Sequence, residues 1–488
     1  MKKAILILLV INLGICFVIA QPYFSKTYRF TENSSIADQI FIIDDEIFMK
    51  YGAICNQTIE CSGLTKLSSA GGMIWNKNLR TLDAAAFDGI FYNNDVFQLG
   101  GHIKSDTSTS IYLIEINKIG DTTLIFQKQY EGTRGIQNVL NVSDSTTYLL
   151  GLNSDSRRIT FQKLNNGILQ LEDEFNFTMI AEAPIEMRYF NKNLVMLAEI
   201  QLQDFKQYAY LFFLNEDFSI NSYVQLGLLQ FGAPLSNFEI NNNFIYVTQG
   251  FFQSDDITMN RNPPILYKID STGNIVWELE FRTRHYKALN DLIVAENGDI
   301  ICVGVDRSRD RELWDFDMGW IIRVSDEGEL LWEKSVIDTR YDFHGRGSFE
   351  AIEEAPNGDL IIGGWIADTT AANTNNLTLN AWLLRLTSEG CFYNNCDSTQ
   401  ILTNVNTIAA DLPHFDIHPN PIIDLININP ANEKEYSLTI YNVTGKLLYS
   451  RQNLKNEHVV NARRFGKGIY FLKLSQVGKV ISRKLVKQ

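Results

Sequence analysis

Apolar and polar residues alternate along most of this chain in short runs, which is the period of strands rather than helices. Four such runs follow one another between Leu289 and Val336: "LNDLIVAE", "DIICVGV", "WIIRVS" and "LLWEKSV". The first pair is joined by "ENGD" (Glu296–Asp299) and the second by "SDEGE" (Ser325–Glu329). Asn-Gly and Glu-Gly steps supply the positive φ that tight hairpins need. The segment therefore reads as one unit of four antiparallel strands.

The unit recurs. Its turn glycine, Gly328, is followed four residues later by Trp332 and preceded by Arg323, five residues earlier. The same frame holds Lys268, Gly273 and Trp277, and again Lys66, Gly71 and Trp75; Arg385 and Gly390 keep its first half. Weaker copies turn at Gly120, at Gly167 and near Asp217, giving spacings of 49, 47, 50, 56, 55 and 62 residues. A second mark, an apolar run closing on a small residue, falls between these turns at Gly52, Gly101, Gly151, Ala198, Gly250, Gly304 and Gly364. Two interleaved series of seven marks define a repeat of about 50 residues. Four strands repeated seven times predict an all-β, seven-bladed β-propeller; a long array of β-sandwiches is the competing arrangement. The tryptophans, at one register in three units, are expected to pack between blades.

The last unit lacks a good fourth strand, because "CFYNNCDST" follows Gly390. A spare strand, "PYFSKTYRF" (Pro22–Phe30), lies at the other end of the chain. It is expected to complete the seventh blade as its outer strand, hiding edges that would otherwise template aggregation.

The chain ends change the picture. Lys2 and Lys3 precede an apolar stretch, Ala4–Ala20, interrupted only by Asn12; Val18 and Ala20 stand at the −3 and −1 positions of a cleavage site before Gln21. This is the pattern of a signal peptide. An uncleaved anchor and a lipoprotein site at Cys16 are the alternatives. The net charge is −14, which argues against nucleic acid as a partner. From Phe415 onward twelve Lys and Arg face five Asp and Glu, a net +7, so the remainder carries −21. Such asymmetry marks the tail as a separate module. Cys55 with Cys61 and Cys391 with Cys396 suggest two local disulfides in an exported chain, while Cys302 reads as a buried thiol. The expected domains are a signal peptide over 1–20, the propeller over 21–396, a linker over 397–414 and the tail module over 415–488.

The tail is a run of short strands expected to form a small β-sandwich. It contains "HPNP" (His418–Pro421), "YSLTIYNVTGKLLYS" (Tyr436–Ser450), "GKGIYFLKL" (Gly466–Leu474) and a final "KLVK" (Lys484–Lys487). In order and spacing it closely resembles the immunoglobulin-like, type A C-terminal sorting domain of the Bacteroidetes type IX secretion system. The resemblance implies export to the periplasm, then outer-membrane translocation directed by this tail. It also implies frequent tail cleavage, with cargo released or attached to surface lipopolysaccharide. The family motif carries over to Pro419, Asn420, Pro421, Gly445, Lys446, Gly468, Tyr470 and Lys484. The repeats resemble more loosely the PQQ-like or beta-propeller-repeat proteins of such cargo, without the pattern of a quinone enzyme.

Antiparallel order places both tight turns of every unit on one face of the ring. The longer connections then share the opposite face, where function is expected. In units five to seven these are Phe281–Asn290, Val305–Gly319, Ile337–Ser348 and Ala367–Asn380. They carry Arg282, Arg284, His285, Arg307, Arg311, Trp314, Asp315, Asp317, His344 and Arg346. Arginine with aromatics can hold carboxylates or sugars through forked hydrogen bonds and stacking. His102 is expected on the same face, and a site of three histidines is conceivable. Asp315 and Asp317 have a spacing that might hold Ca²⁺, without the further ligands of a full loop; no other cofactor is expected. No nucleophile motif or phosphate loop occurs. The sequence favours a non-catalytic binding module for glycan or protein; the alternative is a polysaccharide hydrolase or lyase on the long-loop face.

Overall fold

A computed structural model describes the chain except residues 1–22, 31–33, 57–58, 80–84, 106, 176, 178–180, 203–205, 230–235, 250–262, 282–285, 311–312, 339–345, 369–377, 393–395, 397–398, 403–414, 419–420, 431–434, 443–445, 477–478 and 488. The expected signal peptide, residues 1–20, and Gly250 lie outside the described residues. Two compact units emerge, with the second made essentially of residues 401–488.

The first unit is the seven-bladed propeller. Six antiparallel sheets are simple meanders of four strands within residues 34–78, 85–131, 134–174, 181–229, 236–280 and 286–338. The sixth carries a fifth strand, Thr399–Leu402. The first strands of successive sheets touch from the second blade round to the seventh, and the seventh meets Ser34–Ile43 of the first. The innermost strands thus close a ring.

Among the described residues, blade seven draws three strands from its own segment, Gly347–Glu354, Leu360–Asp368 and Thr378–Leu386. Its outer strand is Phe24–Tyr28, paired antiparallel with Phe24 opposite Arg385 and Tyr28 opposite Ala381. Phe24 and Tyr28 are buried. The Tyr28 hydroxyl donates to the Gly71 carbonyl of blade one at 2.7 Å, and Trp382 Nε1 donates to Ser25 Oγ at 2.9 Å. The two ends of the propeller are thereby knit into one blade.

The repeated frame is a clasp between neighbouring blades. Trp277 Nε1 donates to the Asp326 carbonyl at 3.0 Å, and Lys268 Nζ reaches Asp326 Oδ1 at 2.6 Å. Arg323 Nη1 reaches the Ser388 carbonyl at 2.8 Å, and Arg385 Nη1 the Ser69 carbonyl at 3.1 Å. These three basic residues therefore grip the last turn of the next blade, including the step from blade seven to blade one, whereas Lys66 pairs with Glu46 of its own blade. The turn glycine serves two ends. It has positive φ, 87° at Gly328 and 68° at Gly390, and a Cβ there would stand 2.9 Å from the ring of Trp277 or Trp332. Blade four places Phe218 in this conformation instead, with φ 68°.

The second series of small residues has a different cause. A β-bulge in the first strand lies opposite it, between Ile136 and Asn138, between Leu289 and Asp291, and between Phe349 and Ala351. A bulge pushes the local backbone out of the regular ladder. A Cβ on Gly304 would lie 1.9 Å from the Ala288 carbonyl oxygen, and one on Gly364 2.0 Å from that of Ser348. Backbone cannot move aside as a flexible side chain can. Gly364→Ala should therefore destabilise the propeller by about 3 kcal/mol, at the upper end for overpacking. Ala198→Gly, at the blade that already accommodates a methyl, should cost about 1 kcal/mol. Urea unfolding of both variants measures the contrast; equal losses would refute the bulge explanation.

The second unit is a β-sandwich. One sheet pairs Phe415–His418, Leu425–Pro430 and His458–Asn461; the other is ordered Leu447–Leu454, Tyr436–Asn442, Gly468–Gln476, Lys479–Lys487. Alternate residues point inward, so Ile426, Ile428, Leu438, Ile440, Leu472 and Leu474 form its own core.

Cys391 and Cys396 form a disulfide with a Cα–Cα distance of 5.1 Å. Cys61 is also disulfide-bonded, whereas the side chain of Cys55 lies outside the described residues. Cys302 is a buried free thiol.

Candidate functional site

The long connections meet the sequence expectations unevenly. Arg282, Arg284, His285, Arg311 and His344 lie outside the described residues. The segment Val305–Gly319, expected to be a loop, is instead the tip of a long hairpin made by Ile300–Asp310 and Leu313–Val324. Its abundant charge suggests a loop, but the ladder continues through it and pairs Arg307 with Asp317 and Ser308 with Phe316. Arg307, Trp314 and Asp315 sit on these strands, with side chains outside the described residues. Asp315 and Asp317 are thus two apart on an extended strand, which does not wrap an ion as a calcium loop does. Asp317 is buried. Elsewhere in the same sheet, Lys287 Nζ stands 3.3 Å from both Asp306 Oδ2 and Glu333 Oε1, and 4.4 Å over the Trp320 ring. Arg346 accepts at its carbonyl from the Ala367 amide at 2.8 Å. His102 stands against the blade-three backbone, 3.4 Å from where a Cβ on Gly135 would be. Among the described residues no group of three His, Cys, Asp or Glu is arranged to hold a metal ion.

A second locus is the central channel, which the sequence reading missed. All seven first strands line a cavity of about 570 Å³. It extends from the bulges, at Gln39, Asn138 and Asp291, to the tight-turn ends of the strands, at Ile43, Tyr92 and Glu354. Phe41, Phe91 and Tyr92 of blades one and two make one side apolar; Glu186, Arg188, Glu239, Asp291, Glu353 and Glu354 of blades four to seven make the other side charged.

These polar groups tie blade to blade. Arg188 Nη2 contacts Glu186 Oε1 at 2.9 Å, and its Nη1 crosses to Glu239 Oε2 of blade five at 2.9 Å. Asp291 of blade six accepts from Asn237 Nδ2 of blade five at 2.6 Å, from the Ile352 amide of blade seven at 2.8 Å and from the Leu292 amide at 2.9 Å. Asn290 Nδ2 donates to the Phe349 carbonyl at 2.7 Å and to Glu350 Oε2 at 2.9 Å. Burial, opposed by these donors, pushes Asp291 up to about 7 and Glu350 up to about 7. Burial, with the charges of Asp291 and Glu239, pushes Glu353 up to about 8.

The sandwich supplies the deciding observation. Residues 416–488 match the family described as a secretion system C-terminal sorting domain. The chain is type IX secretion cargo. Its address is the cell surface or the extracellular space, reached by engaging the secretion machinery through this domain. Among the described residues no helix is long and apolar enough to cross a membrane. Within the sorting domain Tyr470 donates to the Gly466 carbonyl at 2.6 Å and stacks on Phe465 with centroids 5.2 Å apart. The Lys446 amide donates to Asn442 Oδ1 at 2.8 Å. Gly468 opens the strand Gly468–Gln476, and Lys484 lies on the last strand opposite Phe471. Pro421 is exposed, while Pro419, Asn420 and Gly445 lie outside the described residues.

No curated protein sequence matches the cargo significantly. Among solved structures it is similar to a Penicillium chrysogenum alpha-L-arabinanase complexed with arabinobiose, at 11% identity and TM-score 0.40, over 74% of this chain and 97% of that one. It is also similar to the subtype N10 neuraminidase-like protein of A/little yellow-shouldered bat/Guatemala, at 10% identity and TM-score 0.34, over 75% and 94%. A Synechocystis apocarotenoid oxygenase variant matches at 10% identity and TM-score 0.36, over 59% and 68%. Likeness this distant transfers no site.

Proposed function

We propose that the cargo is a non-catalytic binding propeller for a glycan or a protein, using the long-connection face of blades five to seven. The observation that supports this reading is the use of the channel carboxylates. Asp291 accepts three hydrogen bonds from three blades, and Glu186 and Glu239 share Arg188, so these groups hold the ring together. The long connections then carry the remaining recognition chemistry, with Arg282, His285, Arg307, Trp314, Asp315, Asp317, His344 and Arg346 as its residues. A hydrolase or lyase on the same long-connection face is the second reading, favoured by Asp317, a carboxylate buried on the blade-six hairpin.

A glycan array, with reducing-end release measured in parallel, separates the two. Binding is expected without release. The double variant His285→Ala/Trp314→Ala should weaken binding at least tenfold, about 1.4 kcal/mol. Reducing ends that appear with wild type and vanish with Asp317→Ala would establish the enzyme instead.

A further inference from the structure

We propose that the channel is a proton-held latch: the closed ring keeps protons on its channel carboxylates that the unfolded chain gives up, so blades four to seven are held most firmly in mildly acidic medium and loosen as the medium turns alkaline.

The argument starts from charge. Five carboxylates, Glu186, Glu239, Asp291, Glu353 and Glu354, line the cavity with one guanidinium, Arg188. Behind them Glu350 approaches Asn290, and the Cys302 thiol feels Asp291. Blade one adds Asp38, paired with Lys50 at 2.6 Å, and Asp88 of blade two acts on Asp38. Blade three supplies neutral Asn138. Around the channel as a whole, carboxylates therefore outnumber cations. Like carboxylates gathered in a partly desolvated space cannot all ionise, and protonation is the least costly relief.

Donors already fixed in the ring decide where protons can go. Asp291 accepts from three donors, two of them backbone amides, which oppose its protonation without outweighing its burial, and Glu354 Oε2 accepts from the Glu296 amide at 2.8 Å. Glu186 Oε2 is buried without a hydrogen-bond partner. Glu353 faces Asp291 and Glu239 with only Arg188 in opposition. Glu353 is thus the main proton holder, with Glu186 beside it, and both sit where blades four to seven converge.

The sign follows. Glu353 at about 8 and Asp291 and Glu350 at about 7 all stand above the values of an unfolded carboxyl, 4.5 for Glu and 3.8 for Asp. Between about pH 4 and 8 the folded ring therefore binds more protons than the unfolded chain. Their contribution to stability is fully present below that window and is lost as pH rises through it. Glu199 of blade four, pushed up to about 8 by burial, adds a slope of the same sign outside the channel.

Calorimetry on the mature full-length chain at constant ionic strength tests this. Wild-type Tm at pH 5.5 should exceed that at pH 8.5 by about 3 °C or more. Glu353→Gln should lose a large part of that drop, because it is neutral at both values. Glu327→Gln, in an exposed turn, should keep the whole drop. A wild-type Tm that is unchanged or higher at pH 8.5 overturns the proposal, as does an undiminished drop in Glu353→Gln. If Glu353→Gln does not fold, wild-type unfolding by urea in weakly buffered solution at pH 6.5 decides: proton release supports the latch, and uptake or no change overturns it.

Discussion

Deleting residues 22–30 should open the ring. The deleted segment supplies the whole outer strand of blade seven, and no other described strand pairs with that edge of Thr378–Leu386. Two buried aromatic side chains go with it, Phe24 and Tyr28. So do the hydrogen bonds from Tyr28 to Gly71 and from Trp382 to Ser25, the first of which crosses from blade seven to blade one. Burying a large apolar side chain contributes about 1.5–3 kcal/mol, so the two aromatics together are worth on the order of 5 kcal/mol. That is comparable with the whole net stability of an ordinary domain, about 5–15 kcal/mol. The newly bared strand would also template association. Size-exclusion chromatography should show aggregate, and any soluble fraction should melt well below wild type. A monomeric deletion with an unchanged Tm would show that Arg385 and the inner strands close the ring unaided.

Much of this architecture was legible because it repeats. Alternation with a tight turn seven times over, six of them at glycine, is a signal that one strand alone does not carry. The aligned tryptophans were readable as packing and the basic residues only as marks of the frame; the structure joins the two in one clasp, as Lys268 and Trp277 converging on Asp326 show. The channel was harder. Which side of an inner strand faces the axis depends on register, and a one-residue bulge reverses it. The signal was present in polar pairs that break the alternation: Asp38-Gln39, Gln137-Asn138 and Asn290-Asp291 each mark a bulge. Arg188 and Glu239 could not be paired from sequence, since they come from different blades, 51 residues apart. Charge misled in the other direction at Val305–Gly319, where a hairpin ladder persists through a stretch rich in Arg and Asp. The turn of blade four shows a further limit: Phe218 takes a backbone conformation that the other aligned units give to glycine.

The second large effect concerns the address. The sorting domain has its own core, built from Ile422, Ile428, Tyr436, Leu438, Val460 and Leu472, and is a compact unit in its own right. The propeller's closure uses residues 24–28 and 347–386, all upstream of it. Removing residues 415–488 should therefore leave a folded ring with a melting temperature close to that of the full chain. What disappears is export beyond the outer membrane, because the surface that engages the secretion machinery has gone. Fold and address should therefore be separable in this chain.

One measurement tests it most directly: fractionation of cells expressing either the full chain or residues 1–414, with protease resistance of the propeller followed in every fraction. The full chain should appear at the surface or in the medium. The truncated chain should accumulate in the periplasm as an equally protease-resistant ring. Normal surface delivery of the truncated chain, or a periplasmic product that is rapidly degraded, would contradict the account.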